Sequence, residues 1–152
     1  SRGEVDLAAI EHGGFVVVCS DMFYGHRQHL IMPGEARTMG EGWETRRRRG
    51  GGHDWTIIRL GAPGTIARAE IDTRHFKGNA PGACSLEVAT DAGDPTASDV
   101  EWRELMPKTP LQPDARHVFD SALAQIAGAR HVRFNIFPDG GVARLRLFGR
   151  AV

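Results

Sequence analysis

The sequence lacks any long apolar run. No stretch approaches the roughly 20 residues a membrane-spanning helix needs, which argues against a membrane protein. It also lacks a charge excess of either sign: 19 Lys and Arg balance 19 Asp and Glu. A nucleic-acid-binding domain usually carries an overall or strongly clustered basic surplus, so that partner class is not expected. Cysteine is scarce, with only Cys19 and Cys84 and no CxxC pair, which fits two buried free thiols in a reducing cytoplasm. There is no P-loop, no dinucleotide-binding glycine fingerprint and no GxSxG elbow, so nothing supports phosphate cradling or nucleophilic catalysis. No signal-peptide pattern opens the chain. It begins Ser-Arg-Gly without an initiator methionine, as a trimmed or processed chain, or one piece of a longer protein, would.

What is present is a succession of short alternating segments. At 152 residues the chain suits one domain, with residues 1–12 as an N-terminal extension or linker able to form one or two helical turns. FVVVCS (15–20) reads as a strand buried on both faces. WTIIRL (55–60) and TIARAEID (65–72), separated by Gly-Ala-Pro-Gly, read as neighbouring strands or a hairpin. CSLEVA (84–89), VEWREL (100–105), HVRFNIF (131–137) and ARLRLFG (143–149) are further strands, the last two forming a hairpin through Pro138-Asp139-Gly140-Gly141. Only FDSALAQIAG (119–128) looks helical. Many short strands with Gly- and Pro-rich turns predict an all-β fold, an antiparallel β-sandwich of jelly-roll type.

In such a sandwich the end loops carry function. Three are rich in reactive side chains: 21–29, with His26 and His29; GEGWETRRRRGGGHDW (40–55), with Glu44, Arg46, His53 and Asp54; and DTRHFKGN (72–79), with His75, Lys77 and Asn79. Arg133 and Asn135 join them from the terminal hairpin. The arginine run reads as a solvated loop, since consecutive like charges repel, with Arg46 the candidate to turn inward onto a carboxylate. Trp43 and Trp55 read as core anchors. His26 and His29 form an HxxH pair, a weak metal pattern, so a divalent metal is conceivable but nothing requires a cofactor. Carboxylates and histidines beside Arg, Lys and Asn suit acid–base hydrolysis of a small anionic, amide-rich substrate.

Several stretches carry a resemblance. CSDMFYGHRQHLIMPG, GWETRRRR, HDWTIIRLGAPGTI, DTRHFKGNAPGACSLE and HVRFNIFPDGGVARLRLFG resemble the allantoicase family in wording and order, over roughly residues 5 to 149. The resemblance implies a jelly roll like that of galactose-binding and discoidin domains. It implies hydrolysis of allantoate to ureidoglycolate and urea in purine catabolism, in the cytoplasm. Family members normally carry two such repeats, and this chain resembles the second. A pocket needing both would leave one repeat inactive unless it pairs with another repeat or forms a homo-oligomer. On this reading Glu44 or Asp54 is the base, His53 or His75 the acid, Arg46 or Arg133 the carboxylate clamp, and Asn79 and Asn135 read the ureido groups, with Lys77 beside them. The rival expectation is a non-catalytic jelly-roll module for small-ligand binding or assembly.

Overall fold

The chain runs through ten strands, β1 (Val5–Asp6), β2 (Phe15–Cys19), β3 (Trp43–Glu44), β4 (Asp54–Asp72), β5 (Ala83–Ala89), β6 (Arg103–Pro110), β7 (Arg116–Phe119), β8 (Ala129–Phe137), β9 (Gly141–Val142) and β10 (Arg144–Ala151), in a computed structural model that describes residues 3–152. The helical turns among these residues are three short 3-10 segments, Ile10–His12, Arg27–Ile31 and Met39–Glu41. No helix is long and apolar enough to cross a membrane.

One strand organises the sandwich. Over residues 56–59, β4 lies between β2 and β8; from Gly64 onward it pairs with β10, and over residues 69–72 it lies between β10 and β7. It therefore passes from one leaf, ordered β2-β4-β8-β5-β6, into the other, ordered β1-β10-β4-β7, with all pairings antiparallel. The inward residues of both leaves, among them Ile58, Leu86, Phe134, Ile71 and Leu145, form one buried cluster. At about 25 cal/mol per Å² of apolar surface removed from water, this shared core is the main stabilising term. The architecture is the expected jelly-roll sandwich.

Several local expectations need correcting. Residues 55–72 are one bent strand rather than a hairpin, because Gly61 to Gly64 continue the chain between leaves without reversing it. The alternation also slips at Ala67, which is exposed while Ile66, Ala69 and Ile71 are buried; opposite it, the register shifts between Phe148 and Gly149. β8 and β10 do not pair with each other, because β4 runs between them. Segment 119–128 holds no helix: Phe119 ends β7 and turns follow. β6 starts at Arg103 and includes Pro107 and Pro110, a position open to proline because an edge strand can spare a ladder donor. β2 buries only Val16 fully, and Phe15 is exposed. Val5–Asp6 pairs with β10, and Leu7, Ala8 and Ala9 are buried, so this part of the expected linker belongs to the packed domain. Ser1 and Arg2 lie outside the described residues. Both cysteines are free; Cys84 is buried, and desolvation pushes its thiol up to about 12, while Cys19 is only partly buried.

Candidate functional site

Three of the loops singled out by sequence meet at one end of the sandwich. β3 pairs with β9, setting Trp43 opposite Val142 and Glu44 opposite Gly141. The Gly141 N–H donates to the Asn79 carbonyl at 2.9 Å, which ties the HFKGN turn to the same point. A Cβ at Gly141 would fall inside the Phe76 ring, and one at Gly140 would strike the Asn79 carbonyl, so close approach requires glycine at both positions. Thr45 locks the junction. Its N–H donates to the Gly140 carbonyl at 3.0 Å, and its Oγ1 accepts from the Gly140 N–H at 2.9 Å.

Asp21 brings in the fourth loop. Its carbonyl accepts from Trp43 Nε1 at 2.9 Å, and its Oδ2 accepts from the Arg46 N–H at 2.7 Å. Glu44 itself is held from both sides, since its N–H donates to the Gly25 carbonyl and its own carbonyl accepts from the Tyr24 and Gly25 N–H groups. Trp43 is a core anchor, as expected, with its ring fully buried.

On this frame Glu44 Oε2 accepts from Asn79 Nδ2 at 2.8 Å. Oε1 has no hydrogen-bond partner among the described residues, so it can accept from water or a substrate N–H. Lys77, two positions before Asn79 in the sequence, is exposed, and the Arg46 guanidinium lies over the Phe23 ring, 4.3 Å from its centroid. Phe23 and Tyr24 are themselves exposed and meet edge to face, an apolar surface joined to Glu44 through the Tyr24 N–H and the Glu44 carbonyl.

The remaining candidates lie elsewhere. His53, Arg133 and Asn135 sit on the outer face of the β4-β8-β5 leaf. There His53 Nε2 meets Asn135 Oδ1 at 3.0 Å, and Asn135 Nδ2 donates to Glu87 Oε1 at 2.9 Å. Arg133 Nε donates to the same Glu87 oxygen at 2.8 Å. Burial alone would raise the Glu87 pKa, but hydrogen bonds from Arg133 and Asn135 outweigh it and hold the carboxyl below its usual range. Trp55 belongs to this face too, where it lines a cleft instead of anchoring the core.

Asp54, one of the two expected bases, is enclosed by the fold, and its Oδ2 has no hydrogen-bond partner among the described residues. It is fully buried, and its Oδ1 is engaged by Ser20 Oγ at 2.8 Å and by Arg48 Nη1 at 2.9 Å. Arg48, not Arg46, is thus the arginine of the run that turns inward. His75 adopts a positive φ of 79° and places Nε2 2.7 Å from the Ala36 carbonyl. That ring nitrogen must therefore donate, and no hydrogen bond joins His75 to Glu44 or Asn79 among the described residues. His26 and His29 have ring centroids 6.1 Å apart, but each spends Nδ1 on backbone, at Gln28 N and the Gly42 carbonyl. Among the described residues no group of three or more His, Cys, Asp or Glu side chains could hold a metal ion.

Sequence reasoning missed Thr45, Ser85, Glu87 and Trp102. The first shows itself only through its tie to Gly140. Ser85 and Glu87 become visible once register sets them opposite Asn135 and Arg133.

Comparison with known proteins supplies the rest. A family model described as an allantoicase repeat matches residues 5–152. A relative from Burkholderia pseudomallei named "Probable allantoicase 2" is 50% identical over 98% of this chain and 46% of its own length. "Probable allantoicase" of Nocardia farcinica is 53% identical over 97% of this chain and 42% of its own. Among solved structures, allantoicase from Saccharomyces cerevisiae superposes with a TM-score of 0.85 at 35% identity, covering 97% of this chain and 44% of that one. An F5/8 type C domain from Bacteroides fragilis, at a TM-score of 0.69 and 19% identity, shares the fold. The chain spans somewhat less than half the length of the curated relatives it matches.

Proposed function

The chain belongs to the allantoicase family, and we propose that it forms one repeat of an enzyme that hydrolyses allantoate to ureidoglycolate and urea, with the reaction centred on Glu44. The observation that carries the assignment is the Glu44–Asn79 hydrogen bond at the junction of the GWETRR, HFKGN and PDGG segments, where the family resemblance is most specific.

Allantoate is a carboxylate whose central carbon bears two ureido groups. Hydrolysis replaces one ureido group with hydroxyl, so water must lose a proton and the departing urea must gain one. Glu44 suits both tasks. Its Oε1 takes a proton from the attacking water and returns it to the leaving nitrogen, while Asn79 holds Oε2 and fixes the carboxylate plane. A positioned acid–base group of this kind is worth roughly 10² to 10⁴-fold in rate. Arg46 and Lys77 supply the cationic side facing the substrate carboxylate. His53, on the outer sheet face, and His75, whose Nε2 is held by the Ala36 carbonyl, take no part in this scheme.

Partnership belongs to the same proposal. The exposed Phe23–Tyr24 pair is the apolar surface on which a second repeat, or a second copy of this chain, docks in this proposal, closing over Glu44 and excluding water. The reaction is assigned to the cytoplasm on the same reading. The test is urea release from allantoate by this chain alone and joined to a second repeat. The proposal requires release in the joined form at least, and no release in either form overturns it.

A further inference from the structure

One concavity lies away from Glu44, which is not among its lining residues. It is a cleft of about 700 Å³ on the outer face of the first leaf, floored by β4, β5, β6 and β8 and walled by residues 95–102. Outer sheet faces usually meet water, yet here Asn135 is only 4% exposed and Ile57 also 4% exposed. A polar row is therefore kept under cover with its hydrogen bonds set in one direction.

That direction follows from the chemistry of the groups. Glu87 is ionised and can only accept, so the amide group of Asn135 facing it at 2.9 Å is the donating Nδ2. Asn135 Oδ1 then faces His53, which must donate through Nε2–H, leaving Nδ1 of the neutral ring as an acceptor. Ser85 Oγ accepts from Asn135 Nδ2 at 3.1 Å, so its own hydroxyl proton is available. Arg133 spends Nε on Glu87 and lays its guanidinium on Trp102, 4.7 Å from the ring centroid. Its Nη1 and Nη2 donate to no described residue.

The unsatisfied groups lining the cleft thus comprise donors, Arg133 Nη and Ser85 O–H, and acceptors, Glu87 Oε2 and His53 Nδ1. The Arg133 charge is already matched by Glu87, so an anion gains little there. A bare carboxylate would leave both acceptors unfilled, and desolvating them unpaired is costly. A carbonyl flanked by N–H groups fills both sets at once, and Trp55 and Trp102 offer flat walls to a planar molecule. We infer that this cleft is a second ligand site, separate from Glu44, that binds an uncharged planar ureido or cyclic-amide compound through Arg133, Ser85, Glu87 and His53. The inference stands independently of the catalytic role given to Glu44.

Tryptophan fluorescence tests it, because Trp55 and Trp102 line the cleft whereas Trp43 is buried in the core. Hydantoin, a neutral cyclic ureide, is titrated into the chain, with acetate and glucose as comparators. The expected result is a saturable change with hydantoin only. Glu87→Gln, which frees the Asn135 amide to turn over, should weaken it about tenfold or more. Glu44→Gln should leave it as in the parent. Should Glu87→Gln fail to fold, Ser85→Ala carries the test, with a weakening of about threefold or more. The inference is overturned by no saturable response, by an equal response to acetate or glucose, or by full affinity in the folded cleft variant. A response lost in Glu44→Gln and kept in Glu87→Gln overturns it as well, and places hydantoin at the loop site.

Discussion

Glu44 and Asn79, 35 residues apart in sequence, are joined by a 2.8 Å hydrogen bond from the Asn79 amide to Glu44 Oε2. Neither residue is on a long strand. Each is placed by backbone ties to Gly141, which pairs with Glu44 across β3 and β9 and donates to the Asn79 carbonyl. If the pair works as a unit, its members are not additive. Asn79→Ala and Glu44→Gln should each lower kcat, the latter by about 10²-fold or more. The double variant should be no slower than Glu44→Gln alone. Urea-release kinetics on the three variants check this, and multiplicative losses would separate the two residues.

Thr45 is predicted to matter through stability. It is buried, and its Oγ1 is the acceptor for the Gly140 N–H. Thr45→Val keeps the shape and strands that N–H, at a cost of about 1–3 kcal/mol. Denaturant unfolding of the two proteins measures it. A difference within about 0.5 kcal/mol would mean that water or backbone movement replaces the bond.

Much of the fold was legible in the sequence because a period of two is a local signal. HVRFNIF and CSLEVA show their buried faces without any knowledge of neighbours. The hairpin assigned to β8 and β10 failed for a related reason: alternation says which face is buried, not which strand lies alongside. The helix expected over 119–128 failed because a stretch this short gains little from helical propensity. After β7 ends at Phe119 it is held in turns instead, with Leu123 and Ile126 packed on the core and the Ala124 N–H donating to the Leu105 carbonyl of β6. For the candidate site, the motif loops were legible as loops. The division of their side chains was not, because His53 precedes β4 by one residue and so follows the outer sheet face, while Glu44 follows the loop end. Asp54 looks like a free carboxylate in sequence and is instead the buried partner of Arg48.

Asp6 gives a pH-dependent prediction. Its Oδ1 accepts from the Ala8 and Leu147 N–H groups, while Oδ2 is buried with no hydrogen bond among the described residues and only a long 3.9 Å ion pair to Arg146 Nη1, and burial outweighs these to raise its pKa above 3.8. The folded protein therefore holds this proton more tightly than the unfolded chain. The contribution is present in full below 3.8 and is lost as pH rises through the folded value. Asp6→Asn keeps the accepting oxygen and removes the charge. Its stability relative to the parent should rise across that window, and a parallel pair of stability–pH curves would contradict this.

Glu87 has the opposite sign. Its folded pKa lies below the ordinary 4.5, so its contribution is present above 4.5 and is lost as pH falls through the folded value. Glu87→Gln should therefore be less stable than the parent at neutral pH, with the gap narrowing in acid. Thermal unfolding at neutral pH and below 4.5 reads the difference.

The central claim is that Glu44 is the group on which allantoate hydrolysis turns, and that the eye-catching arginine run is largely solvated. Urea release from allantoate by the catalytically competent assembly tests both when Glu44→Gln and Arg47→Gln are compared with the parent. The account predicts a loss of about 10²-fold or more for Glu44→Gln, with its unfolding midpoint retained, and parental turnover for Arg47→Gln. A folded Glu44→Gln protein that releases urea within about twofold of the parental rate, against the expected acid–base contribution, would contradict it.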